Sequence, residues 1–109
     1  MLHRILTVLA VTTVWAEPVQ ARPVTATVYH EWFNGRPTAC GTTYSDYKVS
    51  AAHPWLPCGS RVRVSHQGRS LTIPITDRCA CESIDLSYEA ARRLGIPSQG
   101  SARVQLQDI

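Results

Sequence analysis

Only about 88 to 93 of the 109 residues in this chain are available to build a fold, because the first sixteen to twenty-one read as an export signal. Arg4 stands near the start, an apolar run broken only by threonines extends from Ile5 to Val14, and small residues follow. Such a run is too short for a membrane-crossing helix, which takes about 20 apolar residues. Its charged start and small-residue exit are those of a cleaved leader. A signal peptide over residues 1–21 is therefore expected, cut after Ala16 or Ala21, with a single domain over 22–109. No cysteine lies near either site to accept a lipid, so no membrane anchor is expected after cleavage. The mature protein is expected to be periplasmic or secreted.

A domain this small gains little from burying apolar surface alone and calls for covalent support. All four cysteines, Cys40, Cys58, Cys79 and Cys81, fall inside it. An even count in a small exported chain signals a disulfide framework, although four cysteines allow three pairings and spacing does not select one. The single residue between Cys79 and Cys81 makes a bond within that pair strained but not impossible. The chain has neither a C-x-x-C pair nor an H-x-x-x-H, so no metal and no cofactor is expected. The net charge of +3 is mild, and Arg61, Arg63, Arg69, Arg92 and Arg93 are scattered rather than bunched, which argues against nucleic acid as a partner. A monomer is expected.

Val24, Ala26 and Val28 alternate with threonines in the period-two pattern of a half-buried strand. Residues 30–43 carry Asn34-Gly35, Pro37 and Gly41 and read as a long loop. Arg61-Val62-Arg63-Val64 and Leu71, Ile73 and Ile75 alternate on either side of a Gln67-Gly68 turn, which makes them a hairpin. Pro74 removes a ladder hydrogen bond from its second arm and marks an edge, a bulge or the point where the strand leaves the sheet. Ser87 is an N-cap, Leu86 and Ala91 are spaced as a hydrophobic staple, and Gly95 with Pro97 stops the helix between them. Ala102, Val104 and Leu106 supply a last strand. The pattern is one mainly β domain with a short helix, in which barrel closure would remove the exposed edges.

Four segments carry a family resemblance: Phe33 to Gly41 with its Thr-Ala-Cys-Gly turn, Ser50-Ala51-Ala52-His53 leading to Leu56-Pro57-Cys58-Gly59, Thr76-Asp77-Arg78-Cys79, and Ile84-Asp85-Leu86-Ser87. In order and spacing the chain resembles the RlpA-like (rare lipoprotein A) double-psi β-barrels, whose relatives include barwin and the expansins. The resemblance implies a six-stranded double-psi β-barrel acting on the cell wall. The function expected from it is lytic transglycosylase cleavage of peptidoglycan glycan strands. The alternative is an expansin-like or barwin-like module that binds polysaccharide without cutting it, so whether the chain is an enzyme stays open at this point. The same resemblance implies a Cys40 to Cys58 bond, leaving Cys79 and Cys81 to each other or to crossed partners.

Cutting a glycosidic bond needs a carboxylic acid kept protonated near neutral pH, which can then act as base on the sugar's own hydroxyl. Asp77, at the end of an apolar strand in the Asp-Arg turn, is the first candidate, with its ordinary role as a turn aspartate as the alternative. By resemblance His53 falls at a functional histidine, placed to orient a carboxylate or bond a sugar hydroxyl. Asp85 reads mainly as the residue fixing the helix start and secondarily as a substrate contact. Arg78 lies beside Asp77, and Trp32, Tyr44 and Trp55 are candidate stacking platforms for sugar rings, though aromatic residues also cap small barrels. Thr42 and Ser45 stand where the family's transglycosylases carry a glutamate and an aspartate, and neither can serve as an acid near neutral pH.

Overall fold

The structure, a computed structural model, describes residues 20–109. The expected signal peptide falls outside the described residues apart from Gln20 and Ala21. Strand β1 spans Arg22–Val28, β2 Ala51–Ala52, β3 Arg61–His66, β4 Arg69–Asp77, β5 Ile84–Leu86 and β6 Ser101–Asp108, with one helix, α1, over Tyr88–Arg93. The strands close into a barrel in the order β1-β5-β2-β4-β3-β6. Pairing is mixed: β1 with β5 and β2 with β4 run parallel, and the other neighbours run antiparallel. This is the six-stranded barrel with one short helix that the sequence pattern and the resemblance imply.

Alternation decides which side chains fill it. On β3 Val62 and Val64 are fully buried while Arg61 and Arg63 face solvent, and on β6 Val104 and Leu106 turn inward. Ile73, Ile75, Ile84 and Leu86 complete the centre, and Leu94 and Ile96 join it from the helix side. The β3–β4 hairpin turns at Gln67 and Gly68, both in the left-handed region at φ 47° and 81°. That is the conformation a two-residue hairpin turn of matching twist requires, and it explains the glycine. Pro74, opposite Arg61, is the last β4 residue in register with β3, and the β2–β4 register shifts immediately afterwards, between the Ala51–Ile75 and Ala52–Asp77 pairs. The proline thus stands where β4 passes from one partner strand to the other.

Ser87 caps α1 and also ties it to the barrel. Its fully buried hydroxyl accepts from Ala90 N at 3.2 Å and from Ser50 N at 3.1 Å. Leu86 and Ala91, spaced as a staple, lie together in the core. Gly95 follows the last turn at φ 71°, a conformation that costs a glycine nothing. Ser87→Ala strands two buried N–H groups at once, and a loss of about 2–4 kcal/mol is expected. The midpoint of urea unfolding checks this; a change within experimental error would mean that Ser87 does not hold the helix start.

Candidate functional site

Asp77 ends β4, Asp85 is the middle residue of β5, and Ala52 on β2 lies between them, in register with both. On the other side of β5, Thr27 of β1 is in register with Asp85. Thr27, Asp85, Ala52 and Asp77 therefore form one row across four neighbouring strands. At a strand spacing of about 4.8 Å the two aspartates are two strands apart, roughly 10 Å between backbones, with only an alanine methyl between them. They line a cleft of about 380 Å³ together with Tyr29, Phe33, Arg78 and the Cys79 to Cys81 turn.

The two carboxylates are held differently. Asp77 Oδ1 accepts from Ala39 N and from Arg78 N, both at 2.8 Å, and its Oδ2 accepts from Tyr29 Oη at 2.8 Å. Three donors fix it, and one of them anchors the Thr38 to Thr42 turn onto the barrel mouth. Asp85 accepts a hydrogen bond from Thr27 Oγ1 at 3.0 Å. Burial pushes the Asp85 carboxyl above its ordinary value; the Thr27 bond opposes this and the charge of Asp77 adds to it. Two carboxyl groups held in different environments within one cleft is the arrangement from which acid and base roles are made.

Tyr29 forms the wall between them and the loops. Its ring stacks on Tyr44 with centroids 4.1 Å apart and planes within 7°, and Phe33 meets it edge-on at 5.7 Å. Burial, followed by the bond and charge of Asp77, raises the Tyr29 hydroxyl well above the usual phenol range, so it stays a donor. Tyr44, expected as a sugar platform, is only 3% exposed and its ring face is taken by Tyr29. It supports the wall instead: its hydroxyl donates to Asp46 Oδ1 at 2.9 Å and accepts from Tyr88 N at 3.2 Å.

His53 is 2% exposed, and its Nδ1 accepts from Trp55 N at 3.2 Å and Leu56 N at 3.0 Å. Two donors on Nδ1 place the imidazole proton on Nε2. Protonating Nδ1 would cost both bonds, so the ring organises the loop rather than taking protons. Burial lowers its pKa below the ordinary 6.5, the charges of Arg22 and Arg78 lower it further, and Asp108 opposes them in part. The stability that neutral His53 contributes is therefore complete above about pH 6.5 and is lost as pH falls through the lower folded value. The wild-type thermal midpoint is expected to drop between pH 7 and 5, with a shallower slope for His53→Asn. Parallel slopes in differential scanning calorimetry would contradict this.

Arg78 braces the same loop, with Nη1 donating to His53 O at 2.9 Å and Leu56 O at 2.6 Å. Trp55 is 66% exposed and packs edge-on against His53 at 4.7 Å, while Trp32 is 57% exposed with the Arg36 guanidinium 3.3 Å above its ring. Neither indole lines the Asp77–Asp85 cleft. Cys40 bonds Cys58, the pairing that the resemblance implies, and Cys79 bonds Cys81, one of the arrangements the sequence left open. Thr42, where the resemblance implies a glutamate, bonds through its hydroxyl to Thr38 Oγ1 at 2.7 Å. Sequence reasoning missed Thr27 and Phe33. Thr27 is one of two threonines alternating along β1, and the β1–β5 register distinguishes it from Thr25.

Comparison with known proteins agrees with this architecture. The lytic transglycolase family model matches residues 25–106. A small uncharacterized protein of Synechocystis sp. is 42% identical over 83 residues, covering 74% of this chain and 91% of its own. The endolytic peptidoglycan transglycosylase RlpA of Pseudomonas aeruginosa is 42% identical over 90 residues, which span 78% of this chain but 26% of that enzyme. Among solved structures, a Clavibacter michiganensis expansin variant crystallised with cellohexaose superposes with a TM-score of 0.66 at 21% identity, covering 83% of this chain and 50% of that one. The closed mixed barrel, the aspartate row at its mouth and the match over residues 25–106 together identify the chain as a member of the RlpA-like lytic transglycolase family of double-psi β-barrels.

Proposed function

We propose that this domain cleaves the glycan strands of peptidoglycan as a lytic transglycosylase, with Asp85 as the group that transfers protons. The observation that carries the reading is the cleft itself: a carboxyl raised by burial, Asp85, next to a fixed carboxylate, Asp77. Asp85 suits proton transfer better than Asp77, because both Asp77 oxygens already accept from the protein. In the proposed reaction the Asp85 carboxyl gives its proton to the glycosidic oxygen as the bond from that oxygen to the anomeric carbon breaks. The resulting carboxylate takes the proton of the C6 hydroxyl of the same sugar, whose oxygen closes onto the anomeric carbon as a 1,6-anhydro ring. Asp77 contributes negative charge opposite the positive charge that develops on the sugar. His53 and Arg78 hold the loop beside it.

The relative in Pseudomonas aeruginosa bears the name of this activity, which supports a wall polysaccharide as partner. Two disulfides suit an oxidising compartment outside the cytoplasm, and we place the protein in a periplasm or among secreted proteins. A second reading, a module that holds the glycan without cutting it, is favoured by Thr42: its hydroxyl is paired with Thr38 where a further carboxylate would aid catalysis.

Incubation with peptidoglycan sacculi, intact and stripped of stem peptides, separates the two readings. The lytic reading predicts 1,6-anhydro products by mass spectrometry. A protein that sediments with the sacculi and releases none is a binding module.

A further inference from the structure

A second cavity, of about 440 Å³, shares Tyr29 with the aspartate cleft. Tyr29 lines both, so the two spaces adjoin at this residue. The second is built from three separate parts of the chain: Glu31 in the short turn after β1, Asp46 and Tyr47 in the loop before β2, and Tyr88 at the start of α1 with Gln99 beyond its end. Tyr47 is 81% exposed, its ring free to take a partner, and Tyr88 is 42% exposed. The Glu31 carboxylate has no hydrogen-bond or ion-pair partner among the described residues, whereas Asp46 already accepts from Tyr44. Among the described residues no lysine or arginine lines this cavity, in contrast to Arg78 in the cleft.

Tyrosine rings beside carboxylate and amide side chains are the chemistry that recognises a sugar ring. Its C–H face lies on the aromatic surface and its hydroxyls donate to the oxygens. Two carboxylates in a lining that has His30 but no lysine or arginine repel an anionic occupant. We propose that this cavity is a saccharide subsite that accepts an uncharged pyranose and rejects one bearing a carboxylate. The proposal rests on the glycan reading of the adjoining cleft and extends it. In a strand where uncharged sugars alternate with sugars carrying a carboxyl group, the chain can lie in two registers one unit apart. The subsite selects the register with the uncharged ring next to Tyr47, and so determines which of the two alternating linkages reaches Asp85.

The test is calorimetric titration of the protein with a β-1,4-linked N-acetylglucosamine hexamer and with the same hexamer oxidised to the C6 carboxylate. Wild type is expected to bind the uncharged hexamer about tenfold more tightly. Tyr47→Ala should lose about tenfold in affinity for it, with Tyr47→Phe restoring binding, and Glu31→Gln should narrow the discrimination by improving binding of the oxidised form alone. Equal affinity for the two hexamers, or wild-type behaviour of both Tyr47→Ala and Glu31→Gln, overturns the subsite. The titration, run also on the Asp85→Asn variant, reads binding rather than product release. Sacculi that yield no anhydro products while the discrimination persists sink the lytic reading and leave the subsite standing.

Discussion

Asp85→Asn is expected to remove anhydro-product release from sacculi while leaving the fold at least as stable as wild type at pH 7. The activity side follows from the proposed role: asparagine keeps the shape and the oxygen that accepts from Thr27 but has no proton to give. General acid–base groups contribute about 100- to 10,000-fold, so a loss of at least about 100-fold is expected. The stability side follows from the raised pKa. A carboxyl whose folded value lies above its unfolded value favours the fold only in its protonated form, a contribution present below the unfolded value and lost as pH rises through the folded one. At pH 7 the wild-type protein therefore carries a burial cost that asparagine does not. Product yield by mass spectrometry and thermal midpoints by circular dichroism, run on the same preparation, check both halves. Retained product release would transfer the acid role to Asp77; lost release with a lowered midpoint would mean that the substitution merely damaged the barrel mouth.

Cys58→Ser is expected to cost the fold stability and to loosen the site as well. The Cys40–Cys58 bond closes a segment with a sequence separation of 18. For a loop of that length the unfolded chain gains freedom worth about 3 kcal/mol when the bond is removed. In a domain of this size that is a large share of the total, since ordinary domains are stable by about 5–15 kcal/mol. The bond also has a local role. Cys40 follows Ala39, whose N–H donates to Asp77, so opening the disulfide frees the turn that fixes this carboxylate. Guanidinium unfolding of the variant should shift by the full amount, and its Ala39 amide should exchange with deuterium faster than the core amides of β3. A shift below about 1 kcal/mol would mean that the unfolded chain is already compact around this loop.

The long strands and the helix were legible because their information is local. Val62 and Val64 against Arg61 and Arg63, the Gln67-Gly68 turn, and Ser87 with Gly95 state their structure within a few residues. β2 and β5 were not legible by that route. Two residues, Ala51 and Ala52, and three, Ile84 to Leu86, are too short to show a period. Yet these two strands carry Ala52 and Asp85, so the row that makes the site depends on pairings between residues far apart in sequence. Asp77 and Asp85 could be named from the chain, but not how each carboxyl would be held. That depends on Ala39 and Tyr29 reaching Asp77 while Thr27 alone reaches Asp85. His53 was named for a chemical role, and its two bonds to the backbone of Trp55 and Leu56, which occupy Nδ1 and leave the proton on Nε2, could not be read from the chain.

Closure of the barrel by β6 has a kinetic consequence. β6 pairs with β1 on one side and with β3 on the other, so it is the last strand in the chain and also the one that seals the ring. Until residues near Val104 and Leu106 are in place, β1 and β3 each present an open row of backbone donors and acceptors, which are sites of mispairing between molecules. The β1–β6 contact joins residues about 80 positions apart, and proteins dominated by such distant pairings fold on a timescale of about milliseconds to seconds. Refolding yield should therefore fall steeply as protein concentration rises, although in the finished barrel every strand has a neighbour on both sides.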